Sequence, residues 1–163
     1  MGEIFFPRGL PGFYQEKHWM LYELEKPFYL LEARGRPEIA LPVVSPFLFY
    51  PDYALRVAPE VLSRLSDRNE TEEARLSYDQ DLVLHEEDLN DGEDLWVVLA
   101  VVTLKKPFES STINLKAPIL LNTHTRMAEQ IILEHALYDA RSPLHRLQKN
   151  RLSTTDTHHG EMG

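Results

Sequence analysis

The sequence predicts an all-β fold, a small antiparallel β-barrel-like single domain with one or two short helical turns. Three observations carry this prediction: the apolar segments are short and β-branched, eleven prolines punctuate the chain, and no helical pattern alternates with the strands. At 163 residues the chain has the size of one domain. Such a domain buries roughly 70% of its extended surface and needs no covalent staples. The absence of cysteine excludes a disulfide framework, thiolate metal sites and a cysteine nucleophile.

Turn residues divide the N-terminal half of the chain into short elements. Pro7–Phe13 is predicted to form consecutive turns, and Pro11 and Gly12 suit the two central positions of a type II turn, of which the second needs a positive φ. The elements predicted after these turns are a hairpin of Phe28–Ala33 and Ile39–Val44 around Arg34–Pro37, a strand at Tyr53–Val57, and one or two helical turns at Pro59–Leu65.

The run Leu95–Leu104 is apolar and β-branched, interrupted only by Thr103. A continuous run of this kind is typical of a strand that is buried on both faces. Met127–Tyr138 is ambiguous, since its composition favours a helix while Gln130–Leu133 could also pair as a strand.

The phrase Thr112–Asn122 has the composition of a buried strand but contains Asn114, Lys116 and Pro118. Because proline cannot donate to a strand ladder, we expect a sheet edge or a bulge here. Local inconsistencies tend to fall at functional or strained sites, which makes Asn114 and Lys116 candidate partner-binding residues. The alternative is that these polar groups only satisfy the backbone around the proline.

The segment Phe47–Tyr53 contains four aromatic residues and one carboxylate, Asp52. The rings could all fill the barrel, with Asp52 capping a turn. However, a strand alternates its faces, so we expect some of the rings to lie on the surface. An exposed aromatic ring beside a carboxylate suits a protein partner. The candidate partner-binding residues in this segment are Phe47, Phe49, Tyr50, Asp52 and Tyr53.

The net charge of −9 is concentrated in one stretch. Residues 67–94 contain twelve acidic residues against two arginines, a local balance of −10 that leaves the rest of the chain near neutral. A nucleic-acid binder would need the opposite sign, so no direct binding of nucleic acid is expected. The stretch is either a solvated loop or a surface that attracts a basic protein.

The remaining residues show no pattern of a catalytic, cofactor or metal site. None of the seven histidines has the spacing of a metal motif, and the carboxylates lie in a polar run with nothing apolar to raise a pKa. The sequence has no Gly-rich phosphate loop and no nucleophile elbow. The longest apolar run has ten residues, whereas a membrane span needs about 20. We expect a soluble, cytoplasmic protein without enzymatic activity, cofactor, metal, signal peptide or membrane association.

Four segments stand in a distinctive order along the chain: Phe6–Phe13, Pro46–Tyr53, Asn114–Asn122, and Gln130–Leu133 followed by Tyr138. Through these segments and their approximate spacing the chain resembles the FliW family of flagellar assembly factors. The resemblance covers most of residues 5–144 outside the acidic stretch, and Leu95–Leu104 falls where the family has a central strand. It implies a FliW-like β-barrel domain over residues 1–144, with a strand through Gln130–Leu133.

The resemblance implies a non-enzymatic regulator of flagellum assembly. FliW proteins bind and antagonise CsrA, an RNA-binding repressor of flagellin translation, and they bind flagellin, which couples flagellin translation to export. Two alternatives stay open: a dedicated cytoplasmic flagellin chaperone without CsrA activity, and a small ligand-binding β-barrel module. The last would show a deep pocket with convergent polar groups.

The chain departs from the family pattern in two places, and it ends in a polar tail. Only four residues precede Phe5, where family members usually carry a further opening strand. Either the start codon is misassigned or the barrel has an open edge at the position of that strand. Residues 67–84 look like an acidic insertion, and residues 145–163 are expected to be a disordered tail.

Overall fold

Eleven strands, one α-helix and two short 3₁₀ helices make up the part of the chain that this computed structural model describes, residues 2–66, 80–86, 95–134 and 137–144. The strands are β1 (Gly2–Phe5), β2 (His18–Glu23), β3 (Tyr29–Ala33), β4 (Arg36–Val44), β5 (Leu55–Val57), β6 (Leu82–Leu84), β7 (Trp96–Thr103), β8 (Thr112–Ile113), β9 (Ile119–Asn122), β10 (Ala128–Gln130) and β11 (Ser142–Pro143). The helix α1 spans Pro59–Ser66, and the 3₁₀ helices span Pro46–Leu48 and Phe108–Ser110.

Nine of these strands form one antiparallel sheet that curls into a nearly closed barrel. Strands β1 to β4 form a meander, β4 pairs with β7, and β7 pairs with both β8 and β9. Strand β10 pairs with β9, and β11 pairs with β8. The two ends of the sheet meet at Phe5, which forms a β-bridge with Met127. The amide of Phe5 donates to the Arg126 carbonyl at 2.9 Å. The all-β, barrel-like prediction is confirmed.

The first strand is present, so the alternative of an open barrel edge is wrong. Gly2–Phe5 forms β1 and pairs with β2 from Gly2 opposite Leu21 to Phe5 opposite His18. Because β1 also contacts Met127 on its other side, its end near Phe5 is not an open edge.

Strand β7 divides two hydrophobic cores. Its side chains alternate, so that Leu99 packs inside the barrel with Trp19 and Ile119, whereas Val98 packs in a second core with Tyr53. The second core lies between the outer face of β7, helix α1 and the β5–β6 pair. Burial of one such side chain contributes about 1.5–3 kcal/mol. The prediction of a strand buried on both faces is confirmed.

The N-terminal turns have the predicted geometry. Gly12 has a φ of +89°, and the Phe13 amide donates to the Leu10 carbonyl at 2.8 Å, which closes the turn around Pro11 and Gly12. Gly9 is more constrained, because its φ is +70° and an added Cβ would stand 2.8 Å from the Tyr14 carbonyl oxygen. The turns place the side chain of Leu10 in the barrel core.

Two predicted boundaries need correction. The hairpin turn is shorter than expected, since β4 begins at Arg36 directly after Gly35, which has a φ of +79°. The strand expected through Gln130–Leu133 is β10, Ala128–Gln130. Backbone pairing nevertheless continues beyond it, because the Leu133 amide donates to the Lys116 carbonyl at 2.8 Å. Residues 67–79 of the predicted insertion and the tail 145–163 lie outside the described residues, while Leu82–Leu84 forms β6.

Candidate functional site

The structure brings together Phe47–Tyr53 and Thr112–Asn122, the two segments that contain the predicted partner-binding residues. The hydroxyl of Tyr53 donates to the Leu115 carbonyl at 2.7 Å, across 62 positions of the chain. The amide of Leu115 donates in turn to the Asp139 carbonyl at 3.0 Å. The ring of Tyr138 lies 4.6 Å from that of Tyr53 between centroids, and its hydroxyl accepts from the Ala54 amide at 3.0 Å. One hydrogen-bonded cluster therefore joins three loops.

The phrase Thr112–Asn122 is one strand broken by a large bulge. Strands β8 and β9 both pair with β7, and between them the five residues Asn114–Pro118 stand opposite only Ala100 and Val101. The proline thus lies where no ladder donor is required, and the prediction of an edge or bulge is confirmed. The bulge has its own polar supports, because the Ala117 carbonyl accepts from the Gln130 side chain at 2.9 Å and the Pro118 carbonyl accepts from the Ile131 amide at 2.8 Å.

Asn114 shapes this bulge from within. Its side-chain oxygen accepts from the backbone amides of Lys116 and Ala117, both at 3.1 Å. This is the structural role that the sequence left open as the alternative for Asn114. The same geometry exposes the Lys116 side chain and buries Leu115. Lys116 is therefore available to a partner, whereas Asn114 acts on the shape of the loop.

The segment Phe47–Tyr53 does not alternate its faces, because it is not a strand. Pro46 begins a 3₁₀ helix, and the chain then turns, so that Phe47, Phe49 and Tyr53 are all at most 3% exposed. The expectation of exposed rings is wrong for these three residues. Pro46 was the signal in the sequence for this helix, since proline favours the first position of a helix. Of the segment's other residues, Leu48 is 43% exposed, although the sequence did not single it out.

The exposed part of the predicted set lies beside the hydrogen-bonded cluster. Tyr50 is half-buried and its hydroxyl donates to the Pro143 carbonyl at 2.6 Å, while Asp52 is exposed. Leu137, which the sequence did not single out, is fully exposed next to Tyr138. We call these four residues, Tyr50, Asp52, Lys116 and Leu137, the loop surface. It offers an aromatic ring, an aliphatic side chain and both signs of charge, a composition that suits protein contact.

Burial fixes the protonation state at the centre of the cluster. Burial, and to a smaller extent the neighbouring Tyr138, raises the pKa of Tyr53 well above its usual range. Its hydroxyl therefore remains a donor to Leu115 at any physiological pH. Among the described residues, no buried side-chain nitrogen or oxygen lacks a hydrogen-bond partner. The buried polar side chains of the cluster therefore do not require a bound ligand to complete their hydrogen bonds.

The described residues contain neither a metal-binding cluster nor a membrane-spanning helix. Within residues 2–66, 80–86, 95–134 and 137–144, no group of three or more histidine or acidic side chains could hold a metal ion. Over the same ranges, no helix has the length and apolar character required to cross a membrane.

The fold and the loop surface define a small antiparallel β-barrel protein whose candidate site faces outward on loops. The family model described as "FliW protein" matches residues 2–144. The chain belongs to the FliW family.

Individual relatives agree with this assignment. A protein of Bacillus velezensis named "Flagellar assembly factor FliW" is 35% identical over 140 residues, which cover 85% of this chain and 82% of the relative. A protein of the same name from Shouchella clausii is 31% identical over 144 residues, covering 87% and 83%. A solved structure titled "Crystal structure of the flagellar assembly factor FliW" is 27% identical, covers 87% of this chain and 84% of its own, and superposes with a TM-score of 0.69.

Proposed function

We propose that this chain is a non-enzymatic, cytoplasmic regulator of flagellum assembly that binds and antagonises CsrA and binds flagellin in exchange. Family membership supports the assembly role, since the relatives are named flagellar assembly factors. The structural observation that supports a partner site is the buried hydrogen bond from Tyr53 to Leu115, which holds the two predicted segments together. Both partners are those that the family resemblance implies.

The chemistry of the loop surface fits a basic protein such as CsrA. Asp52 supplies an exposed carboxylate, and Tyr50 and Leu137 supply apolar area beside it. Aromatic side chains at the centre of an interface contribute much of its affinity, while charges mainly set the encounter rate and partner choice. Lys116 adds little on its own, because one surface ion pair contributes about 0–1 kcal/mol.

The test is a calorimetric titration of the protein with CsrA from the same organism, repeated after saturation with flagellin. We expect tight binding of CsrA that flagellin abolishes. Binding of flagellin alone would make the protein a dedicated chaperone. Binding of neither partner would contradict the proposal.

A charge reversal locates the contact. Asp52→Lys should weaken CsrA binding about tenfold or more, since the exposed carboxylate would become a repelling cation. Glu38→Lys is the matched control, because Glu38 is exposed on β4, outside the loop surface. Equal affinities of the two folded variants would remove Asp52 from the site.

A further inference from the structure

Strands β2, β3 and β4 turn an apolar face away from the barrel core. On the core side lie Trp19, Leu31 and Val43, all of them buried. Because side chains alternate along a strand, the residues next to these point to the opposite face. The outer face of an antiparallel sheet is ordinarily polar. Here five residues of the outer face are apolar, and we call them the meander face: Met20, Tyr22, Leu30, Ala40 and Pro42.

The meander face is one continuous surface. The pairing register places Tyr22, Leu30 and Pro42 side by side in a first row. A second row lies next to it, beginning at Met20 on β2 and ending at Ala40 on β4. Side chains paired in this way lie about 4.5–5.5 Å apart. Tyr22 is 43% exposed and the other four residues are half-buried. A contiguous apolar surface of this kind marks a binding site.

A single carboxylate stands in the middle of the second row. It belongs to Glu32, which pairs with Met20 on one side and with Ala40 on the other. The Glu3 carboxylate on β1 already has a partner, because Arg34 donates to it at 2.7 Å. By contrast, among the residues that the structure describes, Glu32 forms no ion pair and no side-chain hydrogen bond. The occupant of the meander face is therefore expected to bring both apolar side chains and a cation.

The C-terminal segment that follows Leu144 starts at the end of the sheet closer to the second row. The Leu144 amide donates to the Ser111 carbonyl at 3.1 Å, and the Ser111 hydroxyl accepts from the Lys105 amide at 2.9 Å. The described chain therefore ends close to the last residues of β7. Because β4 runs antiparallel to β7, this is the end at which β4 begins. The second row is the nearer of the two, since Ala40 precedes Pro42 along β4.

The first residues of this segment have the chemistry that the meander face requires. Residues 145–152 contain no acid, and their apolar and basic members are Leu147, Leu152, Arg146, Lys149 and Arg151. From β11 the sheet crosses β8, β7 and β4 to reach β3, a distance of about 19 Å at a strand spacing of about 4.8 Å. A chain of this length extends to about 26 Å. The segment is therefore long enough, and its attachment to the chain keeps its effective concentration high.

We infer that residues 145–152 dock on the meander face, with their leucines on the apolar rows and a basic side chain at Glu32. The inference goes beyond the proposed function and does not depend on it, because the loop surface contains none of these residues. The docked segment covers the meander face within one chain. The face is then closed to a second copy of this chain and to other proteins.

A single engineered thiol reports whether the face is covered, because the chain has no cysteine of its own. Ala40→Cys places the thiol on the meander face of the full-length protein, and Tyr22→Cys is a second reporter if the first variant is unstable. Glu60→Cys, at an exposed position of α1, is the reference thiol outside the face. The measured quantity is the rate of alkylation by iodoacetamide, a neutral reagent that charge changes in the chain do not steer.

The docking contact is then weakened from the side of the segment. Leu147→Asp combined with Leu152→Asp should raise the alkylation rate of the face thiol at least about fivefold, since the thiol reacts when the segment has left. The matched control is Thr154→Asp combined with Thr155→Asp, which adds the same charge just beyond the segment. We expect this control, and the reference thiol in every protein, to change by less than about twofold.

The outcomes separate this inference from the proposed function. Equal rates in the leucine variant and its control would overturn the docking and leave the proposed function standing. A rate that rises on dilution would overturn it in favour of a second copy on the face, and a rate that falls only when CsrA or flagellin is added would assign the face to that partner. A protein that binds neither CsrA nor flagellin would contradict the proposed function, while a fivefold effect would still support the docking.

Discussion

Tyr53 connects the two segments of the candidate site that the sequence singled out, Phe47–Tyr53 and Thr112–Asn122. Its hydroxyl is the buried donor to Leu115, whereas Tyr50 makes a comparable bond at the exposed Pro143 carbonyl. The two tyrosines differ in burial more than in geometry. They therefore form a matched pair for measuring what the buried bond contributes.

We predict that Tyr53→Phe lowers the free energy of unfolding by about 1–3 kcal/mol, because the buried Leu115 carbonyl loses its donor. Tyr50→Phe should lower it by about 0.5 kcal/mol, since water can replace the lost hydroxyl. Urea unfolding of both variants provides the comparison. Equal losses would show that the buried bond contributes no more than the exposed one.

Alkaline stability gives a second readout of the same residue. The raised pKa of Tyr53 means that the native state keeps a proton which the unfolded chain releases near pH 10. The contribution of Tyr53 to the free energy of unfolding should therefore be fully present below pH 10 and should fall as the pH rises above it. Tyr53→Phe should reduce this alkaline loss, as measured by urea unfolding between pH 8 and pH 11. An unchanged loss would assign it to other groups.

Gly9 and Gly12 test the geometry of the N-terminal turns. Both have positive φ, but only at Gly9 would a Cβ meet backbone, at 2.8 Å from the Tyr14 carbonyl oxygen. Gly12→Ala should cost about 1–2 kcal/mol from its backbone conformation alone. Gly9→Ala should cost about 3 kcal/mol or more, because the turn must also shift. Thermal unfolding distinguishes them, and equal costs would show that the turn yields easily.

At the scale of elements, an ion pair fastens helix α1 to strand β10. The guanidinium of Arg64 donates to both carboxylate oxygens of Glu129, at 2.9 and 3.1 Å, and Glu129 is only 12% exposed. Arg8 approaches the same carboxylate at 3.9 Å but is 62% exposed. The bidentate geometry makes Arg64 the stronger partner.

A double-mutant cycle of Arg64→Ala and Glu129→Ala should give a coupling of about 1–2 kcal/mol. The control is Arg56 and Asp81, a pair at 3.6 Å whose side chains are 69% and 40% exposed. That pair should couple by less than about 0.5 kcal/mol because solvent screens it. Chemical denaturation of the seven proteins, which are the wild type, four single variants and two double variants, measures both values. A coupling at Arg64 no larger than the control would mean that packing alone holds the helix.

Elements differed in how well their sequence predicted them. The run around β7 and the break at Pro118 followed from composition and from the missing proline donor, and both were found. The faces of Phe47–Tyr53 did not follow, because the period of a segment depends on whether it is a strand or a 3₁₀ helix. The aromatic content of the segment indicated that it packs in the core. It did not indicate that Leu48 would be the exposed side chain.

At the scale of the molecule, β7 makes the two cores interdependent. Each core has one face of this strand as a wall, so unfolding either core would expose the other. The contact between Tyr53 and Leu115 was likewise beyond sequence reasoning, since it depends on the path of the chain between two residues that are 62 positions apart.

Net charge should affect the rate of association with a basic partner. Replacing Glu70, Glu72 and Glu73 by Gln removes three charges from the acidic stretch. We expect this variant to associate with CsrA more slowly and with a flatter salt dependence, because long-range attraction is screened over about 10 Å at 0.1 M salt and about 30 Å at 0.01 M. Stopped-flow rates across that range test it.

The control for this experiment removes the same charge elsewhere, by Gln at Glu23, Glu25 and Glu38, which are exposed in the barrel meander. Equal slowing of both triple variants would assign the effect to total charge. Identical rates for all three proteins would show that electrostatic steering plays no part.

The Asn114 side chain has a consequence for the thermodynamics of association. By accepting from two amides of its own loop, it holds Asn114–Pro118 in shape before any partner arrives. Ordering a flexible five-residue loop would cost about 1–2 kcal/mol of conformational entropy per residue at the moment of binding. Here the loop loses this conformational entropy when the protein folds. A partner that contacts Lys116 therefore meets an ordered loop, and the affinity of the complex is not reduced by the entropy of ordering it.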